Sequence, residues 1–353
     1  NIQKPASLCY KKLNMSKKSS NVLIHKNIFK KDKKINNVYE AFKKNIKKLK
    51  KGNFVVGVSG GADSLALVAL VNNLKYEKKI KIHFVLVDHG IRKNSYIEAI
   101  NVKKLLKRNK IFLKILRNKE KIEKNIQGKA REVRYKLLLD FTKKNKAKYI
   151  LTGHHSDDQI ETFLIRLSRG SGVQGLASMR VITKLDNSIN LVRPLLDIKK
   201  IDLTYCAKKI FGKIFKDPSN KDSKYLRTRV RLLKSTFEKA GIHHDQIIKS
   251  IKNLESTSNT LNDYVKKVSK ANIQNKKKKI LINFKNISKE SSEIQIRVVS
   301  QALRNFTKNY YPPRSKKVLS LINSINSKKQ KKFTLGGCII EKSGNLLSIK
   351  KEV

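Results

Sequence analysis

The stretch Val55-Val56-Gly57-Val58-Ser59-Gly60-Gly61-Ala62-Asp63-Ser64-Leu65-Ala66-Leu67 constrains this chain more than any other. The apolar, β-branched run from Phe54 to Val58 predicts a buried strand, and a Ser-Gly-Gly turn follows. The next apolar spacing predicts an amphipathic helix over residues 65–74. Paired glycines let the backbone take positive φ and let a ligand approach the main chain. The unpaired N–H groups of a new helix point into such a turn, and the helix dipole favours an anion there. With hydroxyls from Ser59 and Ser64, the stretch is suited to hold phosphate oxygens. No Gly-Lys-[Ser/Thr] follows the glycines, which excludes a Walker A loop. From Ser-Gly-Gly alone, a strand–turn–helix with glycines for close packing is an equal alternative.

The 353 residues suffice for two domains, one with a sizeable core. Lys and Arg number 82 against 26 Asp and Glu, a formal net charge of +56. Codon drift in an AT-rich genome accounts for part of this excess, since lysine and asparagine are abundant throughout. Charge of this size still binds a polyanion whatever its origin, and nucleic acid is the leading candidate. Cys9, Cys206 and Cys338 are far apart and form no Cys-x-x-Cys pair, which argues for a reducing compartment and against a zinc or iron–sulfur site. No apolar run reaches the length of a membrane helix. Residues 1–36 are expected to be a loose basic arm without a signal-peptide core, and Met15 is an alternative start.

Along the chain, a helical pattern spans residues 38–49 and a second buried strand spans 81–87, ending in Asp88-His89-Gly90-Ile91-Arg92. Residues 94–108 read as a helix and 111–116 as a strand. Residues 119–144 read as one long helix or two broken at Gly128, and 149–152 as a further strand. Alternating strands and helices predict an α/β fold with a right-handed, doubly wound parallel sheet, whose ligands bind at the carboxyl ends of the strands. A catalytic domain over 37–235 is expected, followed by a smaller, basic, mainly helical C-terminal domain over 236–353 that ends in a β-hairpin with a Ser-Gly-Asn turn at 343–345.

The segment Gly153-His154-His155-Ser156-Asp157-Asp158-Gln159-Ile160-Glu161-Thr162 opens the next expected helix. On a helix, His154 and Asp158 are i,i+4 and Asp158 and Glu161 are i,i+3, so the three would share a face. Such a face could bind a metal, could reflect N-capping by Ser156 with acids near the helix start, or could receive an ammonium group and take up its proton. Further on, Arg227, Arg229 and Arg231 alternate at a helix start, either as a solvated basic surface or as RNA phosphate contacts.

Ser-Gly-Gly-Ala-Asp-Ser at 59–64 resembles the pyrophosphate loop of the N-type ATP pyrophosphatases. Six more stretches follow in order: 88–92, Ala130-Arg131-Glu132-Val133-Arg134-Tyr135, 153–162, 169–172, 193–196 and 217–220. Together they resemble the tRNA(Ile)-lysidine synthase family, and Thr334-Leu335-Gly336-Gly337-Cys338 resembles the C-terminal part of its shorter members. The resemblance implies an adenine nucleotide alpha hydrolase-like fold and a two-step reaction. The carbonyl oxygen at carbon 2 of the wobble cytidine attacks the α-phosphorus of ATP, and the ε-amine of free lysine then displaces AMP. It implies ATP and Mg2+ as cofactors, and free lysine and a tRNA(Ile) with a CAU anticodon as partners. It further implies a cytoplasmic setting without membrane, and leaves room for a homodimer.

By the same resemblance, Ser59, Gly60, Gly61, Ala62, Asp63, Ser64, Asp88 and His89 bind ATP, with Asp63 also holding Mg2+. Arg131 meets the α-phosphate or adenylate. His154, Asp158 and Glu161 bind lysine and take its proton, and Arg193, Arg227, Arg229 and Arg231 contact tRNA. Three rivals compete with this reading. A tRNA thiolase that carries an iron–sulfur cluster needs paired cysteines. A small-molecule synthetase would leave the basic C-terminal domain without a purpose. A non-catalytic RNA-binding protein would have no need of Asp63, His154, Asp158 and Glu161.

Overall fold

The computed structural model describes residues 27–77, 80–92, 94–120, 122, 126–186, 188–215, 226–307, 313–327 and 332–352. A short helical segment, α1 (residues 27–31), leads into α2 (Lys33–Ile46). The Asp32 carboxylate accepts the Ile35 N–H at 3.0 Å and starts α2. Ile35, Val38, Tyr39, Phe42 and Ile46 form its buried stripe, and Phe29 is buried beside them. Residues 27–36 are therefore folded, which corrects the expectation of a loose arm up to 36. The stripe is hidden among exposed lysines at 30, 31, 33 and 34, so composition masks it.

Strands β1 (Phe54–Val58), β2 (Ile82–Asp88), β3 (Leu113–Arg117), β4 (Tyr149–Leu151), β5 (Ile182–Lys184) and β6 (Asn190–Val192) form one sheet, in the order β3-β2-β1-β4-β6-β5. All neighbours are parallel except β5 and β6. The helices between and after them are α3 (Ala62–Glu77), α4 (Ser95–Arg108), α5 (Ile126–Lys144), α6 (Ser156–Leu167), α7 (Val173–Leu176) and α8 (Lys200–Phe211). The doubly wound parallel sheet is thus present, and α5 runs unbroken through Gly128.

Helix α3 differs from its expected amphipathic form. Leu65, Ala66, Leu67, Val68, Ala69, Leu70, Val71 and Leu74 are all buried, so the helix is enclosed on every side rather than along one stripe. It lies in the same core as β1 and α8. This anchorage fixes the turn at its N-terminus. Cys206 on α8 is free and buried, and burial pushes its thiol up to about 12, with Asp32 adding to the rise. It packs rather than reacts.

The chain divides into two compact units, residues 1–171 with 178–251, and residues 172–177 with 252–353. The first unit also holds α9 (Leu226–Leu232), α10 (Lys234–Lys239) and the start of α11 (His244–Asn272). In the second unit, β7 (Ile273–Asn275), β8 (Lys279–Asn283), β9 (Lys332–Thr334), β10 (Cys338–Ser343) and β11 (Leu346–Lys351) form an antiparallel sheet in the order β7-β8-β11-β10-β9. Helices α12 (Phe284–Ile287), α13 (Ser292–Thr307) and α14 (Ser315–Asn326) accompany it. Ile282, Val298, Val318, Ile322, Ile340, Leu347 and Ile349 share its core. The expected terminal hairpin is β10–β11, and it belongs to a sheet of five strands rather than standing alone. Among the described residues no helix is long and apolar enough to cross a membrane.

Candidate active site

In the six-stranded sheet, β1 leads out to β2 and β3 on one side, while β4 and β6 lie on the other. The order of winding therefore reverses between β1 and β4, and the crevice beyond their carboxyl ends is where open parallel sheets take ligands. The Ser-Gly-Gly turn leaves β1 there, and Gly153-His154-His155 leaves β4 there.

The turn is braced from within. Ser59 donates both its N–H and its hydroxyl to Ser64 Oγ at 3.1 Å, and Ser64 Oγ donates to the Gly61 carbonyl at 3.0 Å. Both hydroxyl protons are thus spent inside the loop. The donors left for an anion are the backbone N–H groups of the first turn of α3, whose first helical bond is Leu65 N–H to Gly61 O. Gly60 has φ +83°, and a Cβ there would lie 2.5 Å from Val102 Cγ2. Gly60→Ala is expected to cost about 1–3 kcal/mol through backbone strain and that overlap, read as a lower denaturant midpoint with unchanged slope. A Cβ on Gly153 would stand 3.1 Å from the Asp63 carbonyl and 3.2 Å from the Ser64 nitrogen, so the exit of β4 runs directly against the first turn of α3.

This close approach places His155 against Asp63. His155 is the N-cap of α6 and is buried. Its Nε2 lies 3.4 Å from Asp63 Oδ2 and 3.5 Å from Asp158 Oδ2, and its Nδ1 lies 3.8 Å from Asp157 Oδ2. Burial alone would push this imidazole down, but Asp63, Asp158 and Asp157 together hold it above its ordinary range. The other oxygen of Asp63, Oδ1, is buried and accepts no hydrogen bond among the described residues.

His154 does not join this group, which corrects its placement on a common face with Asp158 and Glu161. The helix begins only at Ser156, so His154 still belongs to the extended exit from β4, and its Nδ1 sits 2.9 Å from Thr152 Oγ1. Burial, then Arg193, Arg131 and Arg227, hold its imidazole well below the usual range, so it is neutral. A neutral imidazole among arginines is the surrounding of an anion, not of an ammonium group.

Asp158 and Glu161 do share a face of α6. The backbone N–H of His155 donates to Asp158 Oδ2 at 3.1 Å, as an N-terminal acid should receive it. Glu161 is gripped side-on by Arg231 of α9, with Nε donating to Oε1 and Nη2 to Oε2, the latter at 3.1 Å. Arg231 Nη2 also stands 3.8 Å from Asp158 Oδ1. Burial lifts the Glu161 carboxyl above its ordinary range, and the Arg231 fork opposes that lift. Arg231 is thus turned inward into an ion pair, which corrects its expected role as an RNA phosphate contact. Asp157 faces another way: it accepts the Lys200 N–H and Lys234 Nζ, each at 3.1 Å, and these outweigh burial to hold it below the usual carboxylate range.

Asp88 ends β2, is buried, and accepts the Gly90 N–H at 3.0 Å, which shapes the turn that presents His89. His89 Nε2 meets the Arg134 guanidinium at 3.2–3.3 Å. Arg131 is exposed on α5 and stacks on Tyr135, with 5.0 Å from its guanidinium carbon to the ring centre. Arg193 is buried and donates to the Arg180 carbonyl at 3.0 Å and Thr183 Oγ1 at 2.9 Å. It ties β6 to the strand beside it, which corrects its expected contact with tRNA. Arg227 and Arg229 are exposed on α9. The 217–220 segment lies outside the described residues. Reading the sequence missed His155 and the inward turn of Arg231. The paired histidines offered a signal for the first, since either can cap the helix and only the end of β4 decides which one does.

Comparison with known proteins bears on the family and the fold. The profile of the PP-loop domain family matches residues 32–235. Over 304 residues the chain is 34% identical to tRNA(Ile)-lysidine synthase of Wolbachia pipientis wMel, covering 84% of this chain and 70% of that protein. Over 331 residues it is 32% identical to tRNA(Ile)-lysidine synthase of Orientia tsutsugamushi (strain Boryong), covering 89% and 71%. Among solved structures, the U34-tRNA thiolase NcsA from Methanococcus maripaludis superposes with a TM-score of 0.54 at 20% identity, covering 64% of this chain and 81% of that one, a likeness of fold. With a phosphate loop at the switch point of its sheet and this likeness along most of its length, the chain belongs to the tRNA(Ile)-lysidine synthase family of PP-loop proteins.

Proposed function

We propose that this protein is a tRNA(Ile)-lysidine synthase, a ligase that joins free lysine to carbon 2 of the wobble cytidine of a CAU-anticodon tRNA(Ile) at the expense of ATP. The observation that carries the reading is the juxtaposition, across β1 and β4, of an anion-binding turn and an acidic helix start bridged by His155. One side is suited to the phosphates of ATP and the other to an amine nucleophile.

In the first step the cytidine O2 bonds to the α-phosphorus of ATP and pyrophosphate leaves. The N–H groups at the start of α3 would hold the departing phosphates, and Arg131, beside neutral His154, would meet the α-phosphate. Asp88 and His89 would flank the adenosine end. Mg2+ fits the buried, unbonded Oδ1 of Asp63, and would offset charge on the phosphates when bound. Among the described residues no group of three or more His, Cys, Asp or Glu side chains could hold a metal, so phosphate oxygens would complete the ligand set around Asp63. In the second step the lysine ε-amine bonds to carbon 2 as the bond to the adenylylated oxygen breaks and AMP leaves. An ammonium ion is no nucleophile, and Asp158 and Glu161 would hold it and draw off its proton.

The +56 charge suits a tRNA held by its phosphates, and a tRNA substrate and ATP suit the cytoplasm. Affinity for tRNA is expected to fall by about 10³-fold or more between 50 and 200 mM salt, for six or more phosphate contacts, measured by filter binding. The test of function is transfer of radiolabelled lysine to a tRNA(Ile) transcript with ATP and Mg2+, against methionine tRNA as control. Label confined to tRNA(Ile) supports the reading. Pyrophosphate release without label would keep the first step and reopen the choice of nucleophile.

A further inference from the structure

The Glu161–Arg231 pair is a puzzle for the reading just given. The acid assigned to a substrate cation already holds a cation from its own chain. Arg231 uses Nε and Nη2 on the two different oxygens of Glu161. That side-on fork consumes the lone pair of each oxygen that faces the other, and leaves one outward lone pair on each. The outward pairs diverge, so a second planar fork cannot take both. A compact ammonium needs only one of them, and Asp158, whose Oδ1 lies within 3.8 Å of Arg231 Nη2, can supply its second acceptor.

Beside the pair lies a cavity of about 260 Å³, with apolar walls that include Leu164 and Phe237 and with Lys200 and Lys234 also in its lining, bordered by Glu161 and Arg231 themselves. A guanidinium would find room there once Arg231 were removed. Resting on the assignment of the lysine amine to Asp158 and Glu161, we propose that Arg231 is a specificity-determining residue: its fork leaves an acid corner that accepts an ammonium and refuses a guanidinium, so that free lysine is used and free arginine is ignored.

The test measures labelled-lysine transfer by the full chain on CAU tRNA(Ile), at pH 8 to favour ionised Glu161, with increasing free arginine. The wild-type protein is expected to be indifferent to arginine. Arg231→Met, which keeps an apolar stem but no fork, is expected to become competitively inhibited, with an inhibition constant for arginine on the order of tenfold lower, about the worth of one charge-assisted hydrogen bond. Arg231→Lys, which keeps the charge but grips at one point, should gain a smaller sensitivity, and it decides the matter alone if the Met variant does not fold. Tight arginine inhibition of the wild type, or variants as indifferent as the wild type, would overturn the role of Arg231 alone. Loss of tRNA-dependent pyrophosphate release in both variants would overturn it too, by placing Arg231 in the first step. Pyrophosphate release without lysine transfer by the wild type would instead overturn the assignment of the acid pair.

Discussion

Asp63→Asn will lower tRNA-dependent pyrophosphate release by about two orders of magnitude or more, the scale on which a single charge contact at a reacting centre is felt. The substitution keeps the shape of the side chain and removes its charge. Asp63 sits in the first turn of α3, a helix whose apolar side chains are sealed in the core, so the fold has no reason to yield. Its Oδ1 faces no donor among the described residues, whereas Oδ2 leans on His155. The variant should therefore melt close to the wild type, bind tRNA as well, and fail at chemistry. Full retention of pyrophosphate release would remove Asp63 from the chemistry of the first step.

Glu161→Gln should separate the two steps. Pyrophosphate release is expected to stay within a few-fold of wild type, while lysine transfer falls by about a hundredfold, because a neutral amide neither attracts an ammonium nor takes its proton. Stability should suffer as well. Breaking a fully buried ion pair costs about 3–5 kcal/mol. Glu161 is buried but Arg231 is 32% exposed, so solvent relieves part of its loss, and about 1–3 kcal/mol is expected by denaturant unfolding. Equal loss of both steps would show that Glu161 serves the nucleotide rather than the amine.

The parts of the site that were legible in the sequence are those written in one continuous stretch. Strand β1, the turn and α3 follow each other without interruption, and β2 and β4 are short apolar runs ending in polar clusters. What escaped was set by partners far along the chain. Glu161 and Arg231 are 70 residues apart, and nothing local distinguishes an arginine that faces RNA from one that faces a carboxylate. Arg193 looked exposed by residue type, but it is buried because the Arg180 carbonyl and Thr183 satisfy it. His154 and His155 differ by one position, and that position decides whether the ring faces arginines or aspartates. The enclosure of α3 was visible in principle, since residues 65–71 contain no polar residue to form a wet face. Strands β7 and β8 are masked by the lysine run at 276–279, of which 276–278 lie between the two strands.

Because the phosphate turn and the acidic helix leave adjacent parallel strands, their separation is ruled by the spacing of a hydrogen-bonded ladder, about 4.8 Å, and not by the chain that connects them. The hundred residues 61–160 intervene between Gly60 and Glu161, yet none of their length enters that distance. Insertions or deletions in the excursions around β2 and β3 can accumulate without altering the gap across which nucleotide and amine must meet. The reaction coordinate is measured against the lattice of the sheet, which leaves the outlying loops free to diverge.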